Sequence, residues 1–169
     1  KTYVSHNKAE ALKLVEQLQY PLVHKVDPTA GSIGVSLVKN RWQARRLVKQ
    51  AFSTRGRWSH IFYLRQKNYV YFQEYIPNDG YDIRVITIGS NWVIGFYRRV
   101  LEGDFRASGM DQIEIHPLPL PAIQIARRLH AVIHSPILLT DFVKDAQGQY
   151  HIIEYTPISK CEHPLEIDG

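Results

Sequence analysis

The chain has 169 residues, 44% of them hydrophobic and 22% charged, with ten tyrosines, six phenylalanines and three tryptophans. That composition is of a folded chain with enough apolar mass for its own core, and it excludes a disordered or low-complexity protein. The net charge of +5 favours anionic ligands such as phosphates, but Lys and Arg are spread along the chain rather than massed in a block.

The first predicted element is a helix from Lys8 to Leu18, capped by Ser5 or Asn7, with Leu12, Val15 and Leu18 on one stripe. Pro21 to Val26 reads as a strand, followed by a loop with two glycines, Gly31 and Gly34, and a short strand from Val35 to Val38. Arg41 to Phe52 has helical spacing, with Ala44, Leu47, Val48 and Ala51 facing inward. A basic loop from Ser53 to Trp58 precedes a change to strands: Tyr69–Ile76, Tyr81–Ile88 and Trp92–Val100, separated by turns at Pro77–Gly80 and Gly89–Asn91. On Tyr81–Ile88, alternation puts Ile83, Val85 and Thr87 on one face and Asp82, Arg84, Ile86 and Ile88 on the other. Pro121 to Ile133 reads as a helix with a stripe of Ile125, Leu129 and Ile133, and Ile137–Val143 and Tyr150–Tyr155 as a closing hairpin turning at Asp145–Gly148. The order predicts an α+β fold with largely antiparallel sheets, divided into lobes 1–66 and 67–169.

Three groups of residues carry chemistry. Lys25 is delivered by a strand to a Gly31-Ser-Ile-Gly34 loop, where backbone N–H groups and a point charge can cradle a phosphate. A Gly-rich turn between strands also has a purely structural reading. Asp141 and Glu154 each interrupt an otherwise apolar strand of the closing hairpin; paired carboxylates repel, and a divalent cation relieves that repulsion. The alternative is that both point to solvent. Arg84, Arg98, Arg99 and Arg106 are planar cations of the kind that neutralise a transferring phosphoryl group, or that form surface ion pairs.

In order and spacing these motifs resemble the ATP-grasp superfamily, in its RimK-like, glutathione-synthetase-like branch, from near Lys1 to near Ile158. Pro21-Leu-Val-His-Lys25 resembles the strand whose lysine binds the nucleotide phosphates, and Gly31-Ser-Ile-Gly-Val35 the loop over them. Phe72-Gln-Glu-Tyr-Ile76 resembles the hinge whose backbone meets the adenine edge, and Gly80-Tyr-Asp-Ile-Arg84-Val the family's G-x-D-I-R-V strand. The resemblance implies two α+β lobes clasping a nucleotide. Lys25, Gly31, Ser32, Gly34, Gln73, Glu74, Tyr75, Ile76 and Arg84 would bind it, Arg98 and Arg106 would be catalytic, and Asp141, Glu154 and Thr156 would ligate metal. It implies ATP and Mg²⁺ as cofactors, with two ions and Mn²⁺ as a substitute, and a carboxylate and an amine-type nucleophile as reactants joined through an acyl phosphate.

Two positions depart from the family. Thr156 and Ser108 stand where it commonly carries Asn. They support an alternative, a module that binds nucleotide or a protein partner without turnover. A third reading, a nucleic-acid-binding domain, requires Arg41, Arg45, Arg46, Lys49, Arg55 and Arg57 to form a stripe beside exposed Trp42 and Trp58. The single cysteine, Cys161, excludes an internal disulfide, and no apolar run approaches the roughly 18 residues of a membrane helix. With no signal-peptide pattern, these features set the expectation of a reducing, cytoplasmic setting and no membrane partner. The chain opens on Lys1 and reads as part of a longer protein whose N-terminal lobe lies upstream; homo-oligomers are common among relatives.

Overall fold

The computed structural model describes residues 1–26, 34–58, 65–100, 105 and 112–158. Contacts divide it into two compact units, Lys1–Ile76 and Pro77–Gly169.

The first unit holds β1 (Thr2–Ser5), α1 (Lys8–Gln17), β2 (Leu22–His24), β3 (Ser36–Val38), α2 (Arg41–Ala51), β4 (Arg57–Trp58), β5 (Arg65–Gln66) and β6 (Val70–Glu74). Its main sheet has the order β1-β6-β2-β3 with every pair antiparallel, and β4 and β5 form a separate two-stranded ribbon. Because β6 pairs with both β1 and β2, this unit extends past the boundary expected after residue 66. A run of aromatic and β-branched residues looked like the start of a new lobe, but its hydrogen bonds belong to the old one.

Local chemistry sets the helix starts. Asn7 Oδ1 accepts from the N–H groups of Ala9 and Glu10, while Ser5 Oγ accepts from Asn7 N–H and donates to Glu10. Both expected caps therefore act, and they satisfy donors that the first helical turn leaves unpaired. Asn40 caps α2 in the same way through Gln43 N–H, and the Gln43 side chain returns a bond to Lys39 N–H. Ala11 and Val15 of α1 and Ala44, Val48 and Ala51 of α2 pack on Leu22, Val38, Val70 and Phe72 of the sheet. Each large side chain so buried contributes about 1.5–3 kcal/mol.

One side of this core is polar. His24 and Gln66 are fully buried, and among the described residues neither ring nitrogen of His24 nor either amide atom of Gln66 has a hydrogen-bond partner. Burial and then the nearby Arg57 charge push the imidazole pKa down to about 3, with the Gln66 amide weakly opposing.

The second unit holds β7 (Tyr81–Ile88), β8 (Trp92–Arg99), β9 (Ile113–Glu114), α3 (Leu120–Ile133), β10 (Ile137–Lys144) and β11 (Tyr150–Ile158). The strands form one antiparallel sheet in the order β11-β10-β7-β8-β9. The β10–β11 turn forms where expected: Asp145 Oδ1 accepts from the N–H groups of Gln147 and Gln149. Helix α3 covers the sheet face of Ile83, Val85 and Phe142. Its innermost residues are Ala122, Ala126 and His130, not the expected Ile125, Leu129 and Ile133, which are only partly buried. Alanines lie closest to the sheet because a helix can approach nearest along its smallest side chains, and the larger ones then splay to either side.

Gly95 on β8 permits the pairing with β7. A Cβ there would lie 2.1 Å from the Arg84 carbonyl oxygen and 3.1 Å from Leu118 Cδ1.

Two outcomes follow. Gly95→Ala lowers the unfolding free energy by about 3 kcal/mol, seen as a lower urea midpoint, because the contact is with backbone that cannot yield. His24 binds a proton in the unfolded chain near pH 6.5 but in the folded chain only near pH 3, so its contribution to stability is lost as pH falls through 6.5. Between pH 7 and pH 5 the wild type loses about 2 kcal/mol more than His24→Leu does. Equal losses in chemical denaturation at the two pH values would rule out a neutral buried His24.

Candidate functional site

The sheet face opposite α3 carries the polar chemistry. Residues directly across an antiparallel ladder share a face, so the registers set Phe96, Arg84, Asp141 and Glu154 in one row across β8, β7, β10 and β11. Asp82 and Arg98 form the neighbouring row on β7 and β8. A bulge after Asp141 breaks the β10–β11 register on the other side, a common device for re-aiming side chains beside functional sites.

These side chains form a connected network. Arg98 grips Asp82 through two bonds, Nε to Oδ1 at 2.6 Å and Nη2 to Oδ2 at 2.9 Å. Its Nη2 also lies 2.9 Å from Asp141 Oδ2. Arg84 donates to both oxygens of Asp141, at 2.8 and 2.7 Å. Asp82, Arg98 and Asp141 are 5%, 6% and 5% exposed, so the charges survive burial only as a set. Burial pushes the Asp82 carboxyl up to about 6 against the pull of Arg98. Burial would also raise Asp141, but the Arg84 hydrogen bonds and the charges of Arg98 and Arg84 outweigh it and hold Asp141 below its ordinary value. Arg98 is disfavoured by burial and kept protonated by Asp82 and Asp141.

Asp141 and Glu154 are thus cross-strand partners, as expected from the hairpin. The charge relief differs from the expectation, because Asp141 is balanced by two guanidiniums. Glu154 and Thr156 are exposed, with Thr156 opposite Leu139 in the next row. No cluster of three His, Cys, Asp or Glu side chains occurs among the described residues. The donors available to a metal are all oxygens, which suits Mg²⁺, an ion held by one or two carboxylates plus phosphate.

In the first unit, Lys25 follows β2 directly. Its N–H donates to Tyr71 O at 3.2 Å and its Nζ lies 6.0 Å from the Tyr71 ring centroid. Because strand side chains alternate, burying His24 in the core sends Lys25 to the other face. Gly34 has φ 77°, a left-handed conformation that glycine adopts without steric cost. Gln73 and Glu74 close β6, where Glu74 accepts from Tyr3 Oη at 2.8 Å, and Tyr75 and Ile76 end the unit. Gly31, Ser32 and Arg106 lie outside the described residues, as does Ser108.

The basic residues expected in a nucleic-acid stripe do not act alike. Trp42 and Trp58 are exposed, but Arg45 pairs with Glu16 and Arg57 is half-buried. Asp82 is the residue that sequence reasoning left without a role. Its signal was the Asp-x-Arg spacing with Arg84, which sets two opposite charges on one strand face.

The family model of the RimK-like ATP-grasp domain matches residues 1–117. This chain belongs to the RimK-like ATP-grasp family. Over 176 aligned residues it is 24% identical to the alpha-aminoadipate–LysW ligase LysX of Saccharolobus solfataricus, covering all of this chain and 59% of that protein. Over 109 residues it is 35% identical to the ribosomal protein bS6–L-glutamate ligase of Escherichia coli, covering 63% of this chain and 32% of that one. The D-cycloserine synthetase DcsG superposes with a TM-score of 0.66 at 14% identity, over 92% of this chain and 56% of that one. A RimK domain ATP-grasp protein of Sphaerobacter thermophilus gives a TM-score of 0.59 at 18% identity, over 95% and 52%. These likenesses establish the ATP-grasp fold. The chain spans a little over half the length of the LysX ligases it matches from end to end. Among the described residues, no helix is long and apolar enough to cross a membrane.

Arg98→Leu leaves Asp82 buried without its partner and lowers stability by about 3–5 kcal/mol. Arg84, whose side chain is 26% exposed, is the control. Arg84→Leu costs less, because Asp141 keeps Arg98. Thermal or urea unfolding of the two variants checks the order.

Proposed function

We propose that this chain is the nucleotide- and metal-binding part of an ATP- and Mg²⁺-dependent ligase that joins a carboxylate to an amine-type nucleophile. The observation that carries the reading is the row Arg84–Asp141–Glu154 beside Asp82–Arg98 on one sheet face, in a chain of the RimK-like ATP-grasp family. In this reading Lys25, Gly31, Ser32 and Gly34 bind the phosphates, and Gln73 to Ile76 meet the base. Arg84 also contacts the nucleotide. Asp141, Glu154 and Thr156 hold Mg²⁺, or Mn²⁺ in its place. The metal, when bound, neutralises phosphate charge. Arg98 and Arg106 bind the transferred phosphoryl group and stabilise the charge that moves with it.

The chemistry balances simply. The γ-phosphoryl group passes from ATP to a carboxylate oxygen, giving ADP and an acyl phosphate. The nucleophile then attacks the acyl carbon, phosphate leaves with the bonding pair, and the nitrogen loses its proton. A second reading, nucleotide or partner binding without turnover, is favoured by Thr156 in place of Asn and by the two guanidiniums on Asp141. Named relatives act on differing acceptors, LysW for one and ribosomal protein bS6 for another. By analogy we propose a protein, peptide or small-molecule amine here.

Calorimetry with ATP tests the reading. Wild type binds ATP only with Mg²⁺, and Glu154→Ala weakens that binding by more than about tenfold, since even supporting residues at metal sites cost that much. Binding by wild type that ignores Mg²⁺ would leave the non-turnover reading standing in its place.

A further inference from the structure

We infer that Asp82 is a positioning residue that keeps Arg98 in place when Asp141 turns to a divalent cation. The inference rests on the metal and phosphoryl roles proposed above for Asp141 and Arg98, and it concerns a residue to which those roles assign nothing.

The geometry poses a competition. Both oxygens of Asp141 are already engaged, Oδ1 by Arg84 Nε at 2.8 Å and Oδ2 by Arg84 Nη2 at 2.7 Å and by Arg98 Nη2 at 2.9 Å. Three of the four lone pairs of Asp141 are taken, and a divalent cation on the fourth would sit beside two guanidiniums that repel it. Loosening one arginine relieves that repulsion.

The two arginines are anchored differently. Among the described residues, Arg84 has Asp141 as its one ion-pair partner, and its side chain is 26% exposed, so it has both a reason and a route to swing away. Arg98 has a second carboxylate. Asp82 sits directly opposite it in the β7–β8 register and holds Nε and Nη2 in a two-bond fork. The side chains of Arg98 and Asp82 are 7% and 6% exposed, which leaves little room for another rotamer. Arg84 Nε and Nη2 are the atoms released, whereas in Arg98 only the second contact of Nη2 is given up. Its guanidinium stays in its plane, with Nη1 outside the Asp82 fork and the Nη2 proton that faced Asp141 free to meet a phosphoryl oxygen. A two-bond carboxylate–guanidinium pair fixes direction as well as charge. Asp82 therefore orients the group that recognises the γ-phosphoryl.

The test uses nucleotides that differ by that group. With Mg²⁺ present, dissociation constants for ADP and for the non-hydrolysable AMPPNP are measured by calorimetry on the 169-residue chain. Wild type prefers AMPPNP. Asp82→Asn weakens AMPPNP by about tenfold, as loss of a charged hydrogen bond does, and ADP by less than about twofold. Asp82→Glu, which keeps the charge but moves it by one methylene, falls between, and it replaces Asp82→Asn if that variant does not fold. In an Arg98→Lys background Asp82→Asn removes no further preference, since the two residues act as one unit. Equal weakening of both nucleotides would mean a merely structural role and would overturn the inference, as would an unchanged preference in Asp82→Asn and Asp82→Glu alike. A wild type that binds neither nucleotide overturns the functional reading itself, and the inference with it.

Discussion

The second unit is organised around a positive charge taken out of water. Arg98 lies between Asp82 and Asp141 with almost no exposure. Three strands must be in register for that to be tolerable. Asp82 faces Arg98 across β7–β8, and Asp141 faces Arg84 across β7–β10. A one-residue slip would send every charge into the apolar face under α3. Ion pairs of this kind add little net stability over apolar packing, but breaking one is costly. Their value here is to single out one register of β8, β7 and β10, while the β10–β11 pairing sets Glu154 opposite Asp141.

The first unit buries polar side chains in a different way. Its core is apolar against both helices, yet His24 and Gln66 are fully buried with no side-chain hydrogen bond among the described residues. The imidazole tolerates this by staying neutral, with its pKa pushed down to about 3. Strand alternation then ties the buried residue to the lysine that follows it. Placing His24 inward projects Lys25 from the opposite face, beside Tyr71. The left-handed Gly34 and the strand it precedes lie just downstream.

Family membership and site geometry meet in the second unit. Proteins that share this fold include a D-cycloserine synthetase and an ATP-grasp ligase complexed with a precursor peptide, so the fold does not select the acceptor. Chemistry common to such a fold must reside in groups that handle nucleotide and metal. In this chain the candidates proposed for that work are an oxygen-only donor set on one hairpin and two guanidiniums within reach of it. The arginines on Asp141 add a condition, since the carboxylate is already in use. Under the proposed metal role of Asp141, metal binding and arginine release are linked, and a linkage of that kind is reciprocal.

Much of the fold was legible because it is governed by local rules. Asn7 marks a helix start by capping, the Asp145–Gly148 turn closes its hairpin, and the alternation of Tyr81–Ile88 separates the charged face from the apolar one. The order of the motifs identified the superfamily for the same reason, since each motif is short and contiguous. Contacts between distant segments were not legible. Sequence placed β6 with the wrong lobe, because nothing local distinguishes a last strand of one sheet from a first strand of the next. It chose the larger residues of α3 as the inner stripe, where close packing favours Ala122 and Ala126. It gave Asp141 no arginine partner, because the residues that balance it are 43 and 57 positions away. By itself, then, the sequence determined which residues carry charge and which way each strand faces them. Only the tertiary structure decided which charges meet, because electrostatic partners are chosen by distance in space, and strand register alone sets that distance.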